Sequence, residues 1–298
     1  MGCSNEKILD DDNKESKGYP VCRLTIPLAT EIYTINCFQR GKLILGGKNE
    51  LQLFEESNKS ITTIGKEHKG RINSLITLSN GQVASGGQDN TIKIWDINKK
   101  AVLSTLTGHT SIIWQVYEME NNKLITASDD NSSRIFDLKT KQSENFCKLT
   151  RYVSSVAVVK NNKVIIASGK NIFLYDLKTK KQESVLDINV WYLKVLANGD
   201  VACGLGNGLL YIITVTDELI IKTKFPRGHK RTINFIIELD NHKIVTSSDE
   251  NDLILWDPND PESMFLIKGH TDIVTGLCLI SGKKFASSSK DKTLKIWE

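Results

Sequence analysis

Thr-Ile-Lys-Ile-Trp-Asp, at residues 91–96, is the stretch that organises this sequence. Close variants stand at 132–137 (Ser-Ser-Arg-Ile-Phe-Asp), 171–176 (Asn-Ile-Phe-Leu-Tyr-Asp), 252–257 (Asp-Leu-Ile-Leu-Trp-Asp) and 293–298 (Thr-Leu-Lys-Ile-Trp-Glu). Residues 51–55 are a looser copy, and residues 209–215 are looser still. The chain is therefore an array of repeats with a period of about forty residues.

Each repeat has the pattern of four short strands. In residues 61–96 the strand-like runs are Ile-Thr-Thr-Ile (61–64), Ile-Asn-Ser-Leu-Ile-Thr-Leu (72–78), Gln-Val-Ala-Ser-Gly (82–86) and Thr-Ile-Lys-Ile-Trp (91–95). They are rich in Val, Ile and Thr, and turn residues separate them. A period of 40–45 residues that ends in Trp-Asp is typical of a β-propeller. We predict an all-β fold of four-stranded antiparallel blades.

Seven repeats can be counted, and their ends suggest how the ring closes. The aromatic position of the repeated phrase falls at Phe54, Trp95, Phe136, Tyr175, roughly Ile213, Trp256 and Trp297. The last repeat stops at Glu298, before its fourth strand, whereas a spare strand at 21–27 precedes the first repeat. We predict that this N-terminal strand pairs in the last blade and leaves no open sheet edge. Residues 1–19 are charged and poor in apolar side chains, which predicts a flexible tail before the propeller at 20–298.

Composition excludes several classes of protein. The net charge is +4, from 39 Lys and Arg against 35 Asp and Glu, and the dispersed lysines argue against nucleic-acid binding. The six cysteines have no paired spacing, so we expect a cytoplasmic protein without a disulfide framework. No two His or Cys residues have the spacing of metal ligands, and no cofactor motif is present. No apolar run approaches the roughly 20 residues of a membrane span.

The repeats resemble the WD-repeat β-propeller family over residues 20–298. In that family a well-formed blade buries a hydrogen-bonded tetrad of His, Ser or Thr, Asp and Trp. The resemblance implies four tetrads here: His68, Ser85, Asp89 and Trp95; His109, Thr126, Asp130 and Phe136; His229, Thr246, Glu250 (or Asp249) and Trp256; His270, Ser287, Asp291 and Trp297. The first blade has no His, the fourth has Arg-Tyr at 151–152, and the fifth lacks every member. Because Phe136 replaces Trp, the network of the third blade should be weaker.

A Ser, a His and an Asp together also invite an interpretation as a nucleophilic catalytic site. These sets recur at the blade period, however, and each copy is expected to be buried in a sheet. An enzyme needs one exposed constellation. We therefore predict that the tetrads are structural, that the protein is not an enzyme, and that it has no small-molecule substrate.

The family resemblance also implies where a partner would bind. The first strand of each blade lines the central channel, and one position on it points to a single face of the ring. In register these positions are Tyr33, Asn73, Trp114, Ser154, Trp191, Asn234 and Thr275. Trp114 and Trp191 fall outside the apolar alternation of their strands, which favours binding anchors, although packing on loops or plugging the channel stays open. We predict a protein or peptide site formed by Tyr33, Arg71, Asn73, Trp114, Trp191 and Asn234.

The N-terminus, Met1-Gly2-Cys3-Ser4, resembles that of dually acylated cytosolic proteins. Removal of Met1 would expose Gly2 for myristoylation, and Cys3 is placed for palmitoylation. Glu6 departs from the pattern, which has Ser or Thr at that position. The alternative is an ordinary flexible start of the chain.

The leading functional hypothesis is a non-catalytic scaffold or adaptor, monomeric outside a larger complex, that binds a protein or peptide on the propeller face. A membrane-tethered signalling scaffold, held at the cytosolic face of a membrane through Gly2 and Cys3, is the first alternative. A substrate-recognition subunit of a ubiquitin ligase is another, and it would need a separate docking subunit. Ribosome or RNA association and a hydrolase activity have less support in the sequence.

Overall fold

The predicted propeller is present in the computed structural model, which describes residues 19–298. This part of the chain forms 28 β-strands and no helix. The strands make seven four-stranded antiparallel sheets, and each sheet is one blade of a ring around a central channel. The fold prediction of seven four-stranded blades is therefore confirmed.

Strands are numbered in chain order. Blade 1 consists of β2 (Thr34–Gln39), β3 (Lys42–Gly46), β4 (Leu51–Glu55) and β5 (Ser60–Gly65), and blade 2 of β6 (Ile72–Thr77), β7 (Val83–Gly87), β8 (Ile92–Asp96) and β9 (Ala101–Leu106). Blade 3 consists of β10 (Ile113–Met119), β11 (Lys123–Ser128), β12 (Ser132–Asp137) and β13 (Ser143–Lys148), and blade 4 of β14 (Val153–Val159), β15 (Lys163–Ser168), β16 (Asn171–Asp176) and β17 (Gln182–Leu186). Blade 5 consists of β18 (Val190–Val195), β19 (Val201–Leu205), β20 (Leu210–Val215) and β21 (Leu219–Lys224), and blade 6 of β22 (Ile233–Glu238), β23 (Ile244–Ser248), β24 (Leu253–Trp256) and β25 (Met264–Ile267). Blade 7 consists of β26 (Val274–Ser281), β27 (Lys284–Ser289), β28 (Thr293–Trp297) and β1 (Cys22–Pro27).

The first strand of the chain completes the last blade. β1 runs antiparallel to β28, with Cys22 opposite Trp297 and Pro27 opposite Thr293. Two backbone hydrogen bonds between Val21 and Glu298, of 2.9 and 3.1 Å, extend the pairing beyond the strands. The predicted closure is thus confirmed. Tyr19, which the sequence assigns to the tail, stacks on Phe265 of blade 6 with ring centroids 4.1 Å apart.

One detail of the repeat was wrong. The strand at 61–64 was predicted to belong to the same blade as Trp95, but β5 pairs with β4 and completes blade 1. The outermost strand of blade 2 is instead β9, which pairs with β8. A sequence repeat that runs from one Trp-Asp to the next therefore begins with the outermost strand of the preceding blade. Because each repeat contributes strands to two blades, the chain itself links neighbouring blades.

The hydrophobic core lies between blades. Leu43 and Phe54 of blade 1, for example, pack in one cluster with Ala286 and Leu294 of blade 7. The strand pattern explains this, since side chains alternate between the two faces of each sheet and each face meets a neighbouring blade. A blade alone would expose both apolar faces, so its stability depends on its neighbours.

A β-bulge occurs near the start of the innermost strand in six blades. In β6, Ile72 lies opposite Gly87 and Ser74 lies opposite Gly86, so Asn73 between them has no partner on β7. The same register shift occurs in β10, β14, β18, β22 and β26. A bulge re-aims the extra side chain, and here it brings that side chain to one end of the channel. This end is called the channel mouth below.

Deletion of residues 1–27 should destabilise the ring, because it removes β1 and exposes the edge of β28. We expect a lower melting temperature and aggregation, measured by thermal unfolding and size-exclusion chromatography. Deletion of residues 1–18 is the control and should leave the melting temperature unchanged, since β1 remains. Equal stability of the two truncated proteins would contradict a stabilising role for this pairing.

Candidate functional site

Four blades contain a buried chain of hydrogen-bonded side chains that joins strands and loops of the blade. In blade 2 the Trp95 indole N–H donates to Ser85 Oγ (2.7 Å), Ser85 Oγ lies 2.6 Å from His68 Nε2, and His68 Nδ1 lies 2.9 Å from Asp89 Oδ2. A carboxylate only accepts hydrogen bonds, so the proton of the imidazole is on Nδ1. Nε2 then accepts from the serine hydroxyl, and every member of the chain is satisfied.

The other tetrads have the same geometry with local changes. In blade 7 the three links join Trp297, Ser287, His270 and Asp291 at 2.8, 2.7 and 2.8 Å. Blade 6 uses Trp256, Thr246, His229 and Glu250, and blade 3 uses Thr126, His109 and Asp130 beside Phe136. The acid of blade 6 is Glu250, because Asp249 accepts a hydrogen bond from Asn234 instead.

The tetrad carboxylates are held ionised. Burial alone would raise the pKa of Asp89, but hydrogen bonds from the His68 ring and the Lys69 amide outweigh it and hold that pKa well below its usual range. The same balance lowers the pKa of Asp130 and Asp291. Burial lowers the pKa of His270, although Asp291 opposes the shift. A neutral imidazole beside a fixed carboxylate suits a structural network.

Two departures from the repeat have a structural reason. Blade 2 has Glu67 directly before its His, where blades 6 and 7 have Gly. The Trp95 ring instead packs against Gly65, where a Cβ would lie only 2.7 Å from the ring, so the absence of a side chain at Gly65 leaves room for it. In blade 4, Arg-Tyr at 151–152 was taken as the replacement of Gly-His, which was wrong. Tyr152 directly precedes β14, as Arg71 precedes β6, and the residue four before β14, where blade 2 has His68, is Leu149.

All seven predicted first-strand residues line the channel mouth. They surround a cavity of about 600 Å³ that continues down the channel. Three of them connect blades: Asn73 Nδ2 donates to the carbonyl of Ile113 (3.1 Å), Ser154 to that of Val190 (3.1 Å), and Thr275 to that of Ile32. Each acceptor is at or next to the start of the following blade's inner strand, so these small polar residues are buried and hold the ring.

The larger residues form an aromatic cluster on one side of the mouth. The rings of Trp114 and Trp191 meet edge to face with centroids 5.6 Å apart, and Tyr152 lies 5.8 Å from Trp191. The Trp114 indole N–H donates to Asp129 Oδ1 at 2.6 Å. All three rings are half-buried, in contrast to the fully buried indoles of the tetrads. Tyr152 was missed as a site residue, and its place directly before an inner strand was the available signal.

The opposite side of the mouth contains a stacked arginine. The guanidinium carbon of Arg71 lies 4.4 Å from the ring centroid of Tyr33, whose hydroxyl donates to Glu31 at 2.5 Å. Burial lowers the pKa of Arg71, while Tyr33, Asp249 and Glu31 oppose the shift by attracting its charge. Arg71 stays protonated in any protein environment of this kind. Asn234, on blade 6, donates to Asp249 at 2.7 Å.

Within residues 19–298, no three His, Cys, Asp or Glu side chains are grouped as metal ligands, and no helix is long and apolar enough to cross a membrane. The five cysteines of this part of the chain are free thiols, and burial raises the pKa of Cys147 to about 11. Gly2 and Cys3, the predicted acylation sites, lie outside the described residues.

Comparisons with known proteins agree with this architecture. The family model for the WD domain, G-beta repeat, matches residues 58–96, 100–137 and 261–298. The three matched stretches are WD40 repeats, and they lie within the seven-bladed β-propeller. The crystal structure of the WD40 beta propeller domain of Doa1 is similar to 94% of this chain and 97% of its own, with a TM-score of 0.82. Sequence identity in that comparison is 18%, so the likeness shows the fold alone.

Similarity to curated proteins is confined to parts of the chain. A 57-residue stretch is 40% identical to human WD repeat-containing protein 37 and represents 18% of this chain and 12% of that protein. A 107-residue stretch is 28% identical to human apoptotic protease-activating factor 1 and represents 36% of this chain and 8% of that protein. The matches thus span a small share of these relatives. WD40 propellers are generally protein-interaction scaffolds and generally non-catalytic.

Substitutions in the blade 7 tetrad should destabilise the fold in a coupled way. His270→Ala and Asp291→Ala each leave buried partners unsatisfied, at a cost of about 1–3 kcal/mol in the free energy of unfolding. Because the two residues share one network, the double variant should lose less than the sum. Denaturant unfolding of the four proteins measures this. The control is Glu262→Ala, at an exposed loop position, which should change stability by less than about 0.5 kcal/mol. Additive losses would mean that the pair does not interact.

Proposed function

We propose that this protein is a non-catalytic scaffold or adaptor that binds a protein or peptide partner at the channel mouth. The observation that carries the proposal is the cluster of Trp114, Tyr152 and Trp191. The tetrad indoles of Trp95, Trp256 and Trp297 are fully buried. The mouth cluster is left half-buried at the rim of a cavity.

Half-buried aromatic rings are the residue type that dominates binding hot spots. Trp and Tyr supply large contact areas with few rotatable bonds, and they bind best in a pocket from which a partner can exclude water. The cluster has both properties, because Trp114 and Trp191 line the cavity of about 600 Å³ and the Trp191 ring contacts both Trp114 and Tyr152. A few side chains of an extended peptide would fill a space of this size.

The chemistry of the mouth supports binding rather than catalysis. The carboxylates of Asp129 and Asp249 each accept a hydrogen bond from a neighbouring side chain, and no histidine lines the cavity in the described part of the chain. Burial strongly raises the pKa of Cys278, which lines the channel, so its thiol stays protonated and is a poor nucleophile. The four His-containing sets are enclosed in the blades.

Trp191→Ala should reduce partner binding far more than it reduces stability. Full-length wild-type and variant proteins, used as baits in the native cell and followed by quantitative mass spectrometry, measure the captured set. The loss of a hot-spot ring costs at least about 2 kcal/mol, so we expect roughly thirtyfold weaker capture. Leu103→Ala is the control, since Leu103 is exposed on the outer strand of blade 2, away from the mouth. An unchanged captured set, or an unfolded Trp191→Ala protein, would contradict the proposal.

We further propose a cytoplasmic protein that is tethered to a membrane through Gly2 and Cys3. The sequence Met1-Gly2-Cys3-Ser4 supports this, and two acyl chains anchor a protein more stably than one. Wild-type protein should sediment with membranes, and Gly2→Ala should become soluble. Cys3→Ser should give an intermediate result, because a single myristoyl chain binds with a constant of only about 10⁴ M⁻¹. An intact mass without an acyl adduct, measured on protein from its native cell, would remove the tether.

A further inference from the structure

Three cationic side chains line the channel without a direct ion pair. Arg71 and Lys290 lie at the mouth, and Lys194 lies on the inner strand of blade 5. Within residues 19–298, none of the three side chains forms an ion pair or a hydrogen bond. Two carboxylates line the same space, and each accepts hydrogen bonds: Asp249 from Asn234, and Glu238 from the Ala197 amide (2.7 Å) and from His242 (3.0 Å). The lining of the cavity therefore has three cations against two carboxylates, a net positive charge.

The position of these cations follows the path of an inserted side chain. Lys194 is three residues after Trp191 on β18, which places it about 10 Å further down the channel. Burial lowers the pKa of Lys194, while the charge of Glu238 opposes the shift. Arg71 faces the entrance, where it is stacked on Tyr33. An anionic group that enters between the aromatic cluster and Arg71 would meet a favourable field at both levels.

Arg71 is the group best prepared to bind an anion directly. Stacking on Tyr33 holds the guanidinium plane, so little side-chain entropy is lost when its edge binds a ligand. Its Nε and Oδ1 of Asn73 are enclosed atoms without a hydrogen-bond partner in the described chain, whereas the two terminal nitrogens of Arg71 are not among the enclosed atoms. A carboxylate can bind these two nitrogens at once.

We propose that the partner is a peptide segment that inserts an Asp or Glu side chain into the channel mouth. Its carboxylate pairs with Arg71, with Lys290 and Lys194 adding to the attraction, and a neighbouring large apolar side chain packs on Trp114 and Trp191. This inference rests on the proposed function and specifies its partner. Glu31 and Asp249 lie close enough to Arg71 to attract its charge, so they reduce its attraction for any anionic ligand. A planar carboxylate matches the edge of the guanidinium in a bidentate pair.

The test is a selection of random peptides displayed on phage against the immobilised full-length protein. We expect enriched peptides to share an acidic residue at a fixed distance from an aromatic or large aliphatic one. Selection on Trp191→Ala should lose these peptides, and selection on Arg71→Gln should lose the acidic preference. Arg231→Gln is the control, because Arg231 is an exposed cation that does not line the cavity, and it should enrich the same peptides as wild type.

The enriched peptide is then synthesised with its acid and with the corresponding amide, and both are titrated calorimetrically. Replacement of the acid by the amide should weaken binding to wild type roughly ten- to hundredfold, as should Arg71→Gln. The two changes should not add, since they remove the same contact. Arg71→Lys should retain part of the affinity, because lysine keeps the positive charge but cannot form the bidentate pair of the guanidinium. If Arg71→Gln lowers the melting temperature, Lys290→Gln with the same two peptides carries the test.

The outcomes separate the two proposals. The acidic partner would be overturned if the peptides that depend on Trp191 enrich Lys, Arg or neutral residues, or if the acid and the amide bind equally well. The proposed binding face would then still stand. Tighter binding of a peptide with phosphoserine in place of the acidic residue would also overturn the proposal of an Asp or Glu side chain as the ligand. Peptides that bind independently of Trp191, or no enrichment at all, would overturn the binding face together with the inference.

Discussion

Pairing of β1 with β28 is the contact on which the rest of the molecule depends. Each blade packs only against its two neighbours, so an open ring would expose an apolar face at both ends and the edge of β28. Closure also brings blade 7 beside blade 1, where the Thr275 hydroxyl donates to the carbonyl of Ile32. The channel and its mouth therefore exist only because residues from the two ends of the chain share one sheet.

The blades divide two tasks that the same residue types can serve. Where a blade has a complete tetrad, its Trp, Ser and His satisfy one another in the interior and leave nothing to bind a ligand. Blades 4 and 5 lack the tetrad and supply Tyr152 and Trp191 to the mouth, and Trp114 comes from blade 3, whose network has Phe136 in place of Trp. The blades that have lost the repeat pattern thus contribute to the face that we propose for binding. Their sequences are also the ones that depart most from the repeat.

The bulge at the start of the inner strands explains how one register position produces this face. An ordinary strand residue would point into the packed interface between blades, whereas the extra residue is turned toward the channel. Small polar residues there, such as Ser154 and Thr275, bond to the next blade and close the wall. Large residues at the same position cannot be covered by the wall, so Trp114 and Trp191 remain at the rim.

The sequence by itself determined the number of blades, the closing strand and all but one of the tetrad members, because the repeat period and the alternation of side chains are local properties of the chain. It also indicated the seven mouth positions through their register. Only the tertiary structure decided which blade owns residues 61–64, that Tyr152 joins the two Trp rings, and that Glu250 rather than Asp249 completes a tetrad. The charges of Arg71, Lys194 and Lys290 likewise come from separate blades, and closure of the ring brings them into one channel. Their proximity is set by the sheet pairing of distant strands, which no local pattern contains.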